Sequence, residues 1–181
     1  HRMTELSPMR LWLMRGGFVL LALVIVFFHI LPLDTQPTRW AGPDLILAFA
    51  CAWSLRRPDY VPPLLLAVVF LIADLLLQRP PGLLALLALI GCENLKSRGR
   101  SLRDATFAVE CLTVAVVITF ILVANRIILA LVLVDVPGLS LTLSELGMTL
   151  LVYPLVVAIT HGLMGVRKAA PGDLDTTGQR I

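Results

Sequence analysis

The sequence predicts an all-α, polytopic membrane protein with six transmembrane helices and both ends in the cytoplasm. Three observations lead there. With 58% apolar and 15% charged residues and a mean hydropathy of +0.90, the chain lacks the polar skin of a soluble domain, where about 25% charged residues is usual. Its apolar residues fall into six runs separated by short polar gaps. Twelve of the fifteen Lys and Arg residues lie in alternate gaps: Arg2, Arg10 and Arg15; Arg56 and Arg57; Lys96, Arg98, Arg100 and Arg103; Arg167, Lys168 and Arg180. The intervening gaps hold one each, Arg39, Arg79 and Arg126. Positive segments resist translocation, so the alternation orients every span. The net charge of +3 is then a topological and lipid-facing charge, not a nucleic-acid signal.

His1 and Arg2 precede the first Met and read as an appended remnant, so the predicted transmembrane domain covers residues 3–166. The first span covers about residues 16–33, after a basic segment with Trp12 at headgroup level. It has no small-residue cleavage site, and five further runs follow, so it reads as a membrane span, not a signal peptide. The second, 43–55, opens on Pro43, which suits a first helical turn. Thirteen residues rise only about 20 Å against a hydrocarbon core of about 30 Å. A re-entrant segment is therefore an alternative, while Arg56-Arg57 and the belt residues Trp40 and Trp53 favour a short full crossing.

The third span, 61–77, ends in the turn Gln78-Arg79-Pro80-Pro81-Gly82, whose prolines cannot continue a helix. The fourth, 83–95, leads into the basic loop Lys96–Arg103. Ser101–Asp104 has a capping-box pattern before the fifth span, 105–134. About 45 Å of helix there must tilt, kink or project. A second such pattern, Thr142–Glu145, opens the last span, 142–165, with a kink expected at Pro154. The polar tail 167–181 is expected to be cytoplasmic and disordered.

Charges inside the bilayer are costly, about 2.5 to 3.5 kcal/mol each at its centre, so each needs a reason. Asp44, Asp74 and Arg126 fall in the same third of the membrane, and Arg126 is the expected cation for Asp44 or Asp74. Asp44 has a second explanation as a helix cap. Asp44, Ala48, Cys51 and Ala52 share a face of small residues that should look into the bundle, with Phe49 and Trp53 turned towards lipid or a partner. Glu93 is three residues from Lys96, the spacing of a local pair, and Glu110 is expected to link spans four and five. His29 and His161 sit near span ends, and Cys51, Cys92 and Cys111 read as small apolar residues. No motif arms a nucleophile, a phosphate loop or a metal site, so neither an enzyme nor a cofactor is expected. Lys96, Arg98, Arg100 and Arg103 are the natural cytoplasmic contact, although topology alone would place them there.

Pro43-Asp44-Leu-Ile-Leu, Leu55-Arg56-Arg57-Pro58, Ala73-Asp74-Leu-Leu-Leu and Pro80-Pro81-Gly82-Leu, in that order, resemble the rod shape-determining MreD family. The chain departs from many members in carrying Leu71-Ile72-Ala73 where they have a glycine. The resemblance implies a non-enzymatic inner-membrane scaffold of the complex that builds the lateral peptidoglycan wall and maintains cell shape. Its implied partners are the bitopic protein MreC, the RodA glycosyltransferase with its penicillin-binding transpeptidase, and the MreB filament. The family's helical core is also similar to the substrate-binding subunits of energy-coupling-factor transporters. A carrier of a lipid or small molecule is therefore the alternative, with Asp44, Asp74 and Arg126 lining its cavity.

Overall fold

Pro43 and Asp44 start the helix around which the others gather. The Asp44 Oδ1 accepts the backbone N–H of Leu47 at 3.0 Å, satisfying one of the donors left open at a helix start. In a computed structural model, which describes residues 8–31, 41–99, 101–102, 105–132 and 138–162, this helix (α2) runs Leu45–Arg56. Among the described residues five other α-helices accompany it: α1 Pro8–Ile30, α3 Pro63–Leu76, α4 Leu83–Arg98, α5 Phe107–Leu131 and α6 Leu139–Gly162. A 3-10 turn, Pro58–Tyr60, joins α2 to α3. The tail 167–181, Trp40, Asp104 and the ends of the predicted fifth and sixth spans lie outside the described residues.

Every residue of α2 from Ile46 to Arg56 is buried. It packs against α1, α4, α5, α6 and the 3-10 turn. Ala48, Ala50, Cys51 and Ala52, all fully buried, let these neighbours approach closely. Phe49 and Trp53 are buried too, against the expectation that they face lipid. Trp53 stacks between Phe18 of α1 and Tyr60 of the 3-10 turn, with ring centroids 5.4 and 6.1 Å apart. A helix enclosed on all sides has no outward face for an aromatic belt.

α3 and α4 form an antiparallel hairpin. Arg79 donates its backbone N–H to the Asp74 carbonyl (2.9 Å) and Gln78 to that of Leu75 (3.4 Å), with Gln78 at φ 55°. This is the glycine-type helix ending, with Gln78 in the left-handed position. Gly82, at φ 90°, then turns the chain into α4. Farther along α4, a Cβ on Gly91 would meet Ile121 Cδ1 at 2.6 Å, so α4 and α5 touch there.

Among the described residues, three helices are long and apolar enough to cross a membrane: Met9–Ile30, Phe107–Leu131 and Leu139–Gly162, of 22, 25 and 24 residues. At 1.5 Å per residue they reach about 33 to 38 Å, beyond a hydrocarbon core of about 30 Å. α2, α3 and α4, of 12, 14 and 16 residues, reach about 18 to 24 Å. Three helix starts depart from expectation. α1 begins ahead of Arg10 and Arg15: a cation on the first turn, as Arg10 is, can reach along the helix to polar surroundings, and Arg15 reaches the Asp59 carbonyl. α6 begins at Leu139, which leaves Thr142–Glu145 inside the helix and not at its cap. The Ser101–Asp104 pattern is not the start of α5 either, since its N-cap is Thr106.

Candidate functional site

Polar side chains gather at the two ends of α2. At its start, Asp44 uses both carboxylate oxygens. Oδ1 caps the helix, and Oδ2 accepts Arg79 Nη1 at 3.2 Å. The Asp44 backbone N–H donates to Thr149 Oγ1 of α6 (3.0 Å), and Ala41 N–H donates to Ser144 Oγ (3.0 Å). The Thr149 hydroxyl in turn donates to the Glu145 carbonyl at 2.6 Å.

Asp74, only 1% exposed, serves α4 from the last turn of α3. Its Oδ2 accepts the backbone N–H groups of Gly82 (3.1 Å) and Ala85 (3.3 Å). Gly82 has no side chain to cap α4, so the acceptor comes from eight residues upstream. There the carboxylate also meets the positive end of the α4 dipole.

The cation for Asp44 is therefore Arg79 and not Arg126, and Asp74 takes backbone donors. The turn geometry explains the exchange, because it fastens Arg79 onto the end of α3 beside Asp44. Arg126 belongs to α5, whose neighbour at this end is α6, and its Nη1 donates to Thr142 Oγ1 at 3.0 Å.

At the other end of α2, Arg56 Nε and Nη2 both donate to Glu110 Oε1, at 3.1 and 2.8 Å. The two side chains are 7% and 0% exposed. Glu110 thus ties α5 to α2, where the sequence suggests a link to α4. Arg56, which reads as a topology charge, is inside the bundle. Around this pair, Arg15 Nε and Nη2 donate to the Asp59 carbonyl (3.2 and 3.1 Å). Lys96 Nζ donates to the Val61 carbonyl and to Glu93 Oε1, both at 2.6 Å, so the expected Glu93–Lys96 pair is present. Arg98 Nε donates to Asn94 Oδ1 at 2.9 Å. Arg100 and Arg103 lie outside the described residues.

These contacts join each helix to another. They couple α1 to the 3-10 turn, α4 to the start of α3, α5 to α2, and the α3–α4 turn and α6 to the start of α2. Among the described residues no three His, Cys, Asp or Glu side chains gather to hold a metal. His29 and His161 are exposed at helix ends, and the three cysteines are free thiols. What the arrangement can do chemically is hold helix ends in register. Arg56 and Arg79 are the participants the sequence did not single out. The available signals were an arginine ending a helix of small residues and another five positions after a buried aspartate.

Compared with known families, curated proteins and solved structures, the chain has no match.

The contacts make a test. Asp44→Ala and Arg79→Ala should couple by about 0.5 to 1 kcal/mol in a double-mutant cycle, as partners in a partly exposed pair do. Arg126→Ala and Asp74→Ala should be additive within about 0.5 kcal/mol. Unfolding of the detergent-solubilised protein, followed by circular dichroism, measures both. Additivity of the first pair would sink this assignment.

Proposed function

We propose that the chain is a multi-pass protein of the bacterial cytoplasmic membrane. It crosses the bilayer six times with both ends inside and acts as a non-enzymatic scaffold subunit of the wall-elongation complex. The observation that carries the membrane part is an inversion of exposure. Asp74, Glu110 and Arg56 are at most 7% exposed, while Leu131, Leu64, Leu151 and Trp12 are 77, 76, 73 and 69% exposed. Water would favour the reverse, and apolar surface this extensive needs lipid or partner helices against it. The short helices α2 to α4 can complete their crossings through flanking turns and local thinning of the bilayer.

The scaffold part rests on the resemblance to the MreD family, with an MreC-like bitopic protein as the direct partner. RodA, its transpeptidase and the MreB filament are reached directly or through it. What supports it is the work done by the motif residues. The aspartates of Pro43-Asp44 and Asp74-Leu-Leu close helix ends inside the bundle, as a rigid binding platform requires. Three of their four carboxylate oxygens accept from helix-start N–H groups or from Arg79, which suits a brace better than the lining of a carrier.

Co-expression with the MreC-like protein, purification in mild detergent and native mass spectrometry test the proposal. The expected result is a complex of fixed stoichiometry. No complex, together with a water-soluble small molecule retained at constant mass, would overturn it in favour of the carrier.

A further inference from the structure

A groove of about 410 Å³ opens between α4 and α5. That lies within the ~300 to 1,000 Å³ typical of small-ligand sites. Gly91 forms its floor at the point where the two helices touch. Leu112, Val116 and Phe120 of α5 make an apolar wall, each of them exposed. Along α4 the lining extends from Ile90 to Arg98, a rise of about 12 Å. The two polar side chains that α4 contributes, Asn94 and Arg98, are both at one end.

Arg98 differs from its neighbour Lys96, whose ammonium is committed to Val61 and Glu93. Its Nε donates to Asn94 Oδ1 at 2.9 Å, which leaves the terminal N–H groups of the guanidinium for another acceptor. A guanidinium carries five N–H donors and matches the oxygens of a phosphate. Among the described residues no carboxylate pairs with it. Apart from Thr113, the groove therefore passes from a cation to an apolar trough over about two turns of helix.

We propose that this groove binds one anionic phospholipid from the leaflet that meets the Lys96–Arg98 end of α4. Its phosphate sits on Arg98 and Asn94, and an acyl chain follows Leu112, Val116 and Phe120. The polarity gradient selects an amphiphile over a partner helix. A docking helix needs apolar contact along its whole length at an interaxial distance of about 8 to 10 Å. Here a narrow trough ends in a charge at headgroup level. The proposal rests on the membrane-embedded part of the function above and not on the elongation partners. Absence of a complex with the MreC-like protein therefore leaves it standing.

The test is native mass spectrometry of the full chain in mild detergent, titrated separately with phosphatidylglycerol and phosphatidylcholine. Wild type should retain one phosphatidylglycerol, with roughly tenfold preference over phosphatidylcholine, whose choline cation offsets the phosphate charge facing Arg98. Arg98→Gln, an exposed change that leaves the packing intact, should weaken phosphatidylglycerol more than phosphatidylcholine, which shares the phosphate, and so remove the preference. Val116→Trp should fill the trough and weaken both lipids. Equal affinity for the two lipids in wild type, or a preference unchanged in Arg98→Gln, overturns the proposal. So does cross-linking of a partner helix, in place of lipid, to a cysteine introduced at Val116 in native membranes.

Discussion

Glu110→Leu is expected to destabilise the protein by about 3 to 5 kcal/mol, because it leaves a buried arginine without its carboxylate. Arg56 and Glu110 are 7% and 0% exposed, and two donors of one guanidinium converge on Oε1 at 3.1 and 2.8 Å. In such surroundings the pair offsets a large desolvation cost, and neither ion is tolerable alone. Arg56→Met should do comparable damage by taking from Glu110 the guanidinium whose two donors converge on Oε1. The double variant Arg56→Met/Glu110→Leu replaces both ions with apolar groups of similar volume. It should lose much less than the sum of the two, as buried ion pairs exchanged for apolar residues do. Denaturant unfolding in micelles, followed by helical circular dichroism, gives all three values. A Glu110→Leu loss below about 1 kcal/mol, or strict additivity, would show that the pair does not hold α5 to α2.

Six helices were legible because hydropathy runs and proline-rich gaps act locally. Pro43-Asp44 and the Pro80-Pro81-Gly82 turn mark helix ends that the structure places within a few residues of expectation. Which charges meet was much less legible. Arg56 and Arg79 carry the same letters as the topology-setting arginines, and only three-dimensional proximity separates a structural cation from a loop cation. The outward placement of Phe49 and Trp53 failed for a related reason. α2 is apolar or small on every face, so periodicity gives no direction, and its aromatics go where α1 and the 3-10 turn leave space. Asp44 shows the opposite case. A cap and an ion pair looked like alternatives in one dimension, yet a carboxylate has two oxygens and uses one for each. The capping pattern at Thr142 failed because α6 already starts upstream at Leu139, and a cap motif inside a long apolar run is outvoted by propagation; the one at Ser101 failed because α5 starts downstream, on Thr106.

Asp74→Ala and Asp74→Asn should separate a brace from an ionic site. Alanine removes the acceptor for two N–H groups at the start of α4, those of Gly82 and Ala85. One lost cap costs about 0.5 to 2 kcal/mol and a buried unsatisfied donor about 1 to 3 kcal/mol, so about 2 to 3 kcal/mol is expected. Asparagine keeps the needed atom, since both bonds go to the single oxygen Oδ2. Its amide nitrogen would occupy the place of Oδ1, a buried atom without a hydrogen-bond partner among the described residues. Asp74→Asn also removes the cost of holding a charge at 1% exposure. It should therefore unfold within about 1 kcal/mol of wild type and keep its complex with the MreC-like partner, while Asp74→Ala weakens both. Were asparagine as damaging as alanine, the negative charge itself would be required. That outcome would count against Asp74 as a helix brace and favour a membrane carrier in which this carboxylate meets a cation or a proton.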